Sequence, residues 1–206
     1  QRVTANGTGV WATYFLAAAS GVVPLDDAVP DEAAAQLIAM PLSALALLEV
    51  LAVPAGAWLV QNAANGAVGK ALDRFAQARG VNVLGLVRRA DGVAEAGSAH
   101  VVATNDAGWR EQVAAIVGEA PVVAAIDSVG GAASDELLGL LAPGGTLLSF
   151  GALGGEPMHL DPGAMIFKHL TVKGFWLSGV LGELAPETRG RLFGELLGAV
   201  RDGSLP

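Results

Sequence analysis

The sequence predicts an α/β protein built on a doubly wound, mostly parallel sheet of six strands. Apolar runs and helical stretches alternate from residue 57 onward, the order required by parallel strands joined through helical crossovers. Several apolar runs, such as Val122–Ile126, are almost entirely aliphatic, as expected for strands that are buried on both faces. A glycine-bearing turn separates the first of these strands from its helix.

Each element is predicted from its own pattern. Short aliphatic runs bounded by turn or charged residues predict strands at Ala57–Gln61, Asn82–Val87, His100–Ala103, Val122–Asp127, Thr146–Phe150 and Thr171–Phe175. Apolar residues at helical spacing predict helices at Val68–Arg79, Trp109–Val117, Ser134–Leu141 and Pro186–Arg201.

Two stretches need separate treatment. The apolar segment Ala33–Leu48 is short for a bilayer span and is interrupted by Pro41, so we expect two buried helices that meet at this proline. The connection Ala90–Ala99 is too short for a full crossover helix. Either it holds one or two helical turns, or residues are missing from the sequence at this point.

Composition disfavours several classes of protein. The chain has 206 residues, of which 52% are hydrophobic and 16% charged, and its net charge of −8 disfavours nucleic acid or an anionic membrane as partner. It contains no cysteine, and His100, His159 and His169 show no metal-ligand spacing, so we expect no metal site. No secretory leader is recognisable in the first residues, and we expect a cytoplasmic protein.

The turn after the first strand matches a dinucleotide-binding pattern with one substitution. Ala64, Gly66 and Gly69 occupy the three glycine positions of G-x-G-x-x-G. Gly66 would let the backbone approach a pyrophosphate, and Gly69 would let the helix pack close to the strand. The helix would direct free N–H groups and its positive end at the phosphates. The turn therefore predicts a dinucleotide cofactor and, through it, redox chemistry.

The end of the second strand distinguishes two cofactors. NAD-dependent proteins carry Asp or Glu about 20 residues beyond the turn, where it binds the ribose 2′-hydroxyl. Here Arg88 follows Gly66 by 22 residues, and an arginine can bind a 2′-phosphate through paired hydrogen bonds. NADP(H) is therefore favoured over NAD(H), with Lys70 and Arg89 adding positive charge. The alternative is a solvated arginine pair beside Asp91 that binds no ligand.

Four motifs in one order resemble a known group of enzymes. They are Gly9-Val-Trp-Ala-Thr-Tyr14, the stretch Ala33–Ala44, Gln61-Asn-Ala-Ala-Asn-Gly-Ala-Val-Gly69 and Gly174-Phe-Trp-Leu-Ser178. Together they resemble the medium-chain dehydrogenase/reductase superfamily over essentially the whole chain. Within it, the chain is most similar to the zinc-independent 2-enoyl thioester reductases, with quinone oxidoreductases as near relatives. The resemblance implies a Rossmann domain that binds NADPH.

The resemblance also implies which residues contact the cofactor: Met40, Asn65, Gly66, Ala67, Val68, Gly69, Arg88, Arg89, Phe150, Gly151, Ala152, Leu153, Phe175, Trp176, Leu177 and Ser178. The turn residues would contact the pyrophosphate, and the arginines would hold the 2′-phosphate. Residues 150–153 would lie beside the nicotinamide ribose, and residues 175–178 would line the nicotinamide and substrate cleft. Met40 stands where the family has an asparagine, whose hydrogen bonds a thioether cannot make.

Several residues have structural alternatives. Phe175 and Trp176 could be core aromatics, and Ser178 could be a helix cap. Asp127, at the end of the fourth strand, could orient the cofactor. Tyr14, the only tyrosine, lies in an early strand segment that is structural in the family, and we do not assign it as the proton donor.

The resemblance further implies how the chain is divided. Residues 1–30 would be the end of a GroES-like, β-rich catalytic domain, and residues 31–206 would be the NADP(H)-binding domain. The family's catalytic tyrosine and a cofactor-contacting lysine would lie outside this chain, so no catalytic residue is assigned here. Family members pair through the edge strand of this domain, here Thr171–Phe175, and a homodimer is expected.

Three functions remain open from the sequence. The first is NADPH-dependent reduction of the C=C bond of 2-enoyl thioesters, as in fatty acid metabolism. Hydride would reach the β-carbon, charge would develop on the thioester oxygen, and a proton would reach the α-carbon. The second is reduction of quinones or small enones by the same fold. The third is a dinucleotide-binding fragment without turnover.

Overall fold

The computed structural model describes residues 1–203 and 205, so Ser204 and Pro206, at the end of the predicted cofactor domain, lie outside the described residues. At the amino end, β1 (Val3–Ala5) pairs antiparallel with β2 (Val22–Pro24). Two helices follow, α1 (Asp31–Gln36) and α2 (Met40–Leu51). The remaining elements are β3 (Trp58–Gln61), α3 (Ala67–Ala78), β4 (Asn82–Val87), α4 (Asp91–Ala96), β5 (Val101–Ala103), α5 (Trp109–Val117), β6 (Val122–Asp127), α6 (Ala132–Leu140), β7 (Thr146–Ser149), α7 (Pro162–Phe167), β8 (Thr171–Gly174), α8 (Leu177–Glu183) and α9 (Pro186–Arg201).

Six of the strands form one parallel sheet in the order β5-β4-β3-β6-β7-β8. The chain builds outward from β3 through β4 to β5, returns to the other side of β3 with β6, and continues to β8. The predicted doubly wound fold is confirmed, and the strand order reverses between β3 and β6. The edge position predicted for Thr171–Phe175 is also confirmed, although the strand itself ends at Gly174.

The sheet is buried on both faces because its strands carry apolar side chains at successive positions. In β3, Leu59 packs with one layer of helices, while Trp58 and Val60 pack with the other. The first layer contains α2, α3 and α9, and its centre includes the fully buried Leu45. The second layer contains α5, α6 and α7, with Trp109 at the start of α5 buried against the sheet. No helix within residues 1–203 and 205 has the length and apolar content needed to cross a bilayer.

Three local predictions are resolved by the structure. The break between the first two helices precedes Pro41, which lies in the first turn of α2, where its missing N–H has no intrahelical partner to lose. The short connection Ala90–Ala99 contains α4, a helix of 6 residues followed by Gly97 at φ +65°. Tyr14 was predicted to lie in an early strand, and this is wrong, since it occupies an exposed bend.

The turn between β3 and α3 is held by a close approach of two backbone segments. A Cβ atom added to Gly69 would lie 2.7 Å from the carbonyl oxygen of Ala64 and 2.9 Å from its Cα. No side chain fits at these distances, so Gly69 lets α3 lie close to the turn that follows β3, where the sequence predicted close packing against the strand itself. The buried Gln61 adds a second link, because its amide donates to the carbonyl oxygen of Gly69 at 2.9 Å.

We expect Gly69→Ala to lower the free energy of unfolding by about 1–3 kcal/mol, because the turn or α3 must move to accept a methyl group. Gly194→Ala is the matched control, since a Cβ added at this position in α9 meets nothing within 4 Å. The control should raise the free energy of unfolding by about 0.5–1 kcal/mol, because alanine has a higher helix propensity than glycine. Urea unfolding measures both effects, and changes of the same sign and size would contradict the close approach.

Candidate cofactor-binding site

A crevice of about 470 Å³ opens at the carboxyl ends of the strands, where the strand order reverses. Open α/β sheets bind their ligands at this position. The wall of the crevice is formed by the turn after β3, the end of β4, part of α4 and α6, and the loops after β6 and β7. It brings together four of the predicted site residues, Asn65, Arg88, Arg89 and Leu153.

The turn after β3 exposes its backbone beside the crevice. Gly66 precedes α3 in an extended conformation, and a Cβ at this position would lie 3.2 Å from the carbonyl oxygen of Ala63. Ala63 has φ +49°, in the left-handed region that L-residues rarely adopt. The N–H groups of the first turn of α3, Ala67 to Gly69, have no intrahelical acceptor. An anion placed over this turn would meet these donors and the positive end of the helix.

The two arginines at the end of β4 differ in their partners. Arg89 Nε donates to Asp91 Oδ1 at 3.2 Å, and this hydrogen bond is the main reason that the pKa of Asp91 lies below its usual value. Arg88 is exposed and, within the described part of the chain, pairs with no carboxylate. Arg88 therefore keeps its donors available for an added anion.

Two residues that were predicted to help the cofactor bind lie elsewhere. Met40 and Lys70 line a neighbouring cavity of about 520 Å³, which is bounded by α1, α2, α3, α4 and the end of α9. The prediction that Lys70 adds positive charge to the cofactor site stays a prediction, since Lys70 is exposed and lines this cavity rather than the crevice. The lining of the crevice itself carries two arginines and three carboxylates, those of Asp91, Glu95 and Glu136.

The apolar residues after β7 and β8 pack in two ways. Phe150 and Phe175 are half-buried against the first helix layer, with ring centroids 6.3 Å apart and ring planes at 86°. Trp176 and Leu153 are 74% and 78% exposed, so the core alternative fits Phe175 and is wrong for Trp176. The cap alternative for Ser178 is also wrong, because α8 begins at Leu177 with no side-chain cap.

Asp127 is completely buried at the end of β6. Its oxygens accept hydrogen bonds of 2.5 to 3.0 Å from Asn62 Nδ2, Val129 N–H, Gly130 N–H and Ser134 Oγ. Asn62 Oδ1 in turn accepts from Ser128 N–H at 2.7 Å. The carboxylate thus joins the turn after β3 to the loop after β6 and to α6.

The pKa of Asp127 reflects two opposing effects. Burial raises it, but the hydrogen bonds from Gly130, Ser134, Asn62 and Val129 outweigh burial and hold the pKa below its usual value. Because both carboxylate oxygens are bound to the protein, Asp127 positions the loops of the crevice. The interpretation that it could orient the cofactor is corrected in this sense, since it could act only through those loops.

The loop after β7 is fastened to the same network. A Cβ added to Gly151 would lie 2.7 Å from the carbonyl oxygen of Ser128, so only glycine allows the two loops to approach this closely. Leu153 N–H donates to that same oxygen at 3.1 Å. Asn62 and Ser134 were not identified from the sequence, because Asn62 lies 65 residues before Asp127 and no local pattern connects them.

Comparison with known proteins shows the family of the chain. Residues 67–189, from the start of α3 into α9, match the family model described as zinc-binding dehydrogenase. The chain belongs to this family. It is therefore a member of the medium-chain dehydrogenase/reductase superfamily, as its motifs predicted. Within residues 1–203 and 205, no group of three or more histidine, cysteine, aspartate or glutamate side chains is placed to hold a metal ion.

Three proteins illustrate the similarity to this dehydrogenase family. The mitochondrial enoyl-[acyl-carrier-protein] reductase of Arabidopsis thaliana is 31% identical over 207 residues, covering 96% of this chain and 55% of the relative. A candidate NADPH:quinone reductase from Bacillus thuringiensis has a crystal structure with TM-score 0.84 and 27% identity, covering 97% of this chain and 61% of that chain. The quinone oxidoreductase of Thermus thermophilus has also been solved in complex with NADPH. Its structure has a TM-score of 0.69 and 27% identity, and covers 87% of this chain and 56% of that chain. The chain spans about half the length of the curated relatives it matches.

We expect Asp127→Ala to lower the free energy of unfolding at pH 7 by about 3–5 kcal/mol, because buried donors of Asn62 and Ser134 lose their acceptor. Asp106→Ala is the matched control, since Asp106 is exposed and accepts from Gly108 N–H and Gln112 Nε2. Removing the Asp106 side chain should lower the free energy of unfolding by about 0.5–2 kcal/mol, as for the loss of a helix cap.

The depressed pKa fixes how this difference changes with pH. The stabilisation from ionised Asp127 is present above its ordinary pKa of 3.8 and is lost as the pH falls through the lower folded value. The difference in free energy of unfolding between wild type and Asp127→Ala should therefore become smaller as the pH falls below 3.8. Urea titrations at several pH values measure it, and a gap that widens in acid would contradict the assigned network.

Proposed function

We propose that the protein to which this chain belongs is an NADPH-dependent 2-enoyl thioester reductase, which reduces the C=C bond next to a thioester carbonyl. The observation that carries the proposal is the crevice where the strand order reverses, which is lined by Asn65, two residues before α3, and by Arg88. The relative named enoyl-[acyl-carrier-protein] reductase supports this substrate class and a role in fatty acid metabolism.

The residues present fit a dinucleotide that carries a 2′-phosphate. A Cβ at Gly66 would crowd the carbonyl oxygen of Ala63 at 3.2 Å, and the first-turn N–H groups of α3 would face an anion placed over this turn. Arg88 would hold the 2′-phosphate, and residues 150–153 and 175–178 would flank the nicotinamide. When bound, the nicotinamide supplies the hydride; the chain itself binds, orients and shields the reacting groups.

A second candidate is an NADPH-dependent reductase of quinones or small enones. The structures from Bacillus thuringiensis and Thermus thermophilus, each 27% identical to this chain, favour it. Both candidates use the same cofactor site, so the substrate alone separates them. A dinucleotide-binding protein without turnover is the third possibility.

We also propose that the protein forms a homodimer through β8. Among the described strands, β8 pairs with β7 on one side, and most of its residues are exposed. Ile166 and Phe167, at the end of α7 just before β8, are exposed apolar residues. An open edge with exposed apolar side chains nearby favours pairing with a second strand. The cytoplasmic location stays a prediction, and the enoyl reductase relatives are named as mitochondrial.

The substrate is tested with the full-length protein by following NADPH absorbance with crotonyl-CoA and, in parallel, with a soluble quinone. We expect kcat/KM for crotonyl-CoA to exceed that for the quinone by about tenfold or more, because a site built for a thioester should reject an analogue lacking its polar contacts. A preference for the quinone would select the second candidate. Tight NADPH binding with neither substrate reduced would select the third.

The 2′-phosphate assignment is tested by Arg88→Glu, which should weaken NADPH binding by about 100-fold and NADH binding much less, because a charge-assisted pair becomes a repulsion. Arg89→Glu is the matched control, and its effect should be smaller because Arg89 is already paired with Asp91. Fluorescence titration gives both dissociation constants. Equal losses for the two dinucleotides would remove the 2′-phosphate assignment.

A further inference from the structure

Glu95 lies against the turn that is proposed to hold the pyrophosphate. Its Oε2 accepts a hydrogen bond from Asn65 Nδ2 at 3.0 Å, and Asn65 directly precedes Gly66 at the start of α3. The two segments can come together because α4 carries Gly92 at the contact, where a Cβ would lie 3.3 Å from the Asn65 amide. Glu95 also lines both the crevice and the neighbouring cavity, so it stands in the wall between them.

The charges around the crevice make this carboxylate important. Of the three carboxylates in the lining, Asp91 is neutralised by Arg89, whereas Glu95 forms no ion pair within the described residues. Asn65 is a neutral amide, so its hydrogen bond leaves the charge of Glu95 intact. A dinucleotide would bring two negative phosphates to the turn that Glu95 touches.

We propose that Glu95 limits the affinity of this site for dinucleotides, because its negative charge opposes the pyrophosphate. The inference rests on the proposed cofactor site, but not on the identity of the reduced substrate. The positive end of α3 and Arg88 attract the cofactor, and Glu95 repels it. This repulsion favours dissociation of the cofactor after each reaction. The pyrophosphate is common to NADPH and NADH, so the repulsion acts on both dinucleotides.

The decisive variant is Glu95→Gln, since glutamine keeps an oxygen that accepts from Asn65 and removes only the charge. We expect the dissociation constants of both NADPH and NADH to fall, by about threefold to tenfold at low salt, as for one exposed charge near a phosphate. The tightening should appear as a slower dissociation rate in stopped-flow fluorescence. At about 1 M salt, where the Debye length is about 3 Å, the difference should largely disappear.

Glu119→Gln is the matched control, because Glu119 is exposed in the turn after α5 and does not line the crevice. It removes the same charge from the chain, so a long-range effect of net charge would tighten binding in both variants. We expect no measurable change for Glu119→Gln. Equal tightening in the two variants would overturn the inference.

Three other results would also overturn it. They are unchanged or weaker binding in Glu95→Gln, tightening for NADPH without tightening for NADH, and a failure of both wild type and variant to bind any dinucleotide. Binding is measured on the chain without substrate, so the readout is separate from turnover. A protein that binds both dinucleotides more tightly as Glu95→Gln, yet reduces no enoyl thioester, would contradict the proposed substrate and leave this inference standing.

Discussion

A single buried carboxylate, that of Asp127, fixes the relative positions of the loops that form the crevice. Its charge is balanced by N–H, amide and hydroxyl donors from three different segments. If any one segment moved alone, the buried Asp127 carboxylate would lose a hydrogen-bond donor. Such a loss is costly in a low-dielectric interior. The loop after β7 joins the same unit through its contact with Ser128. The turn after β3 and the loops after β6 and β7 are therefore tied together on this side of the crevice.

We infer that the crevice would attract an anion through local dipoles and the Arg88 side chain, against an unfavourable background of negative charge. The chain carries a net charge of −8, and the lining of the crevice contains more carboxylates than arginines. Binding must then depend on short-range hydrogen bonds from the first turn of α3, which act over a few ångströms where the long-range field is screened. Such a site would recognise the shape and position of phosphates rather than negative charge in general.

The fold was largely predictable because its determinants are local. Aliphatic runs located all six strands of the parallel sheet to within one residue at each end, and the need for a small residue at position 69 followed from spacing alone. What the sequence could not show are contacts made across the sheet. Asn62 meets Asp127 over 65 residues, and Asn65 meets Glu95 over 30. The direction in which Lys70 points depends on how α1, α3 and α4 pack, and periodicity does not specify it.

The turn after β3 packs against β4, and there is room for only one Cβ atom where the two segments meet. Ala64 stands at the first glycine position, and its methyl group lies 2.7 Å from the place where a Cβ on Gly85 would be. The neighbouring strand β4 therefore supplies the missing space, and Ala64 N–H still donates to Leu86 O at 3.2 Å. In this chain the glycine of this pair therefore stands in β4, and the turn carries the alanine. The pattern of the turn therefore has to be judged together with β4, the strand against which it packs.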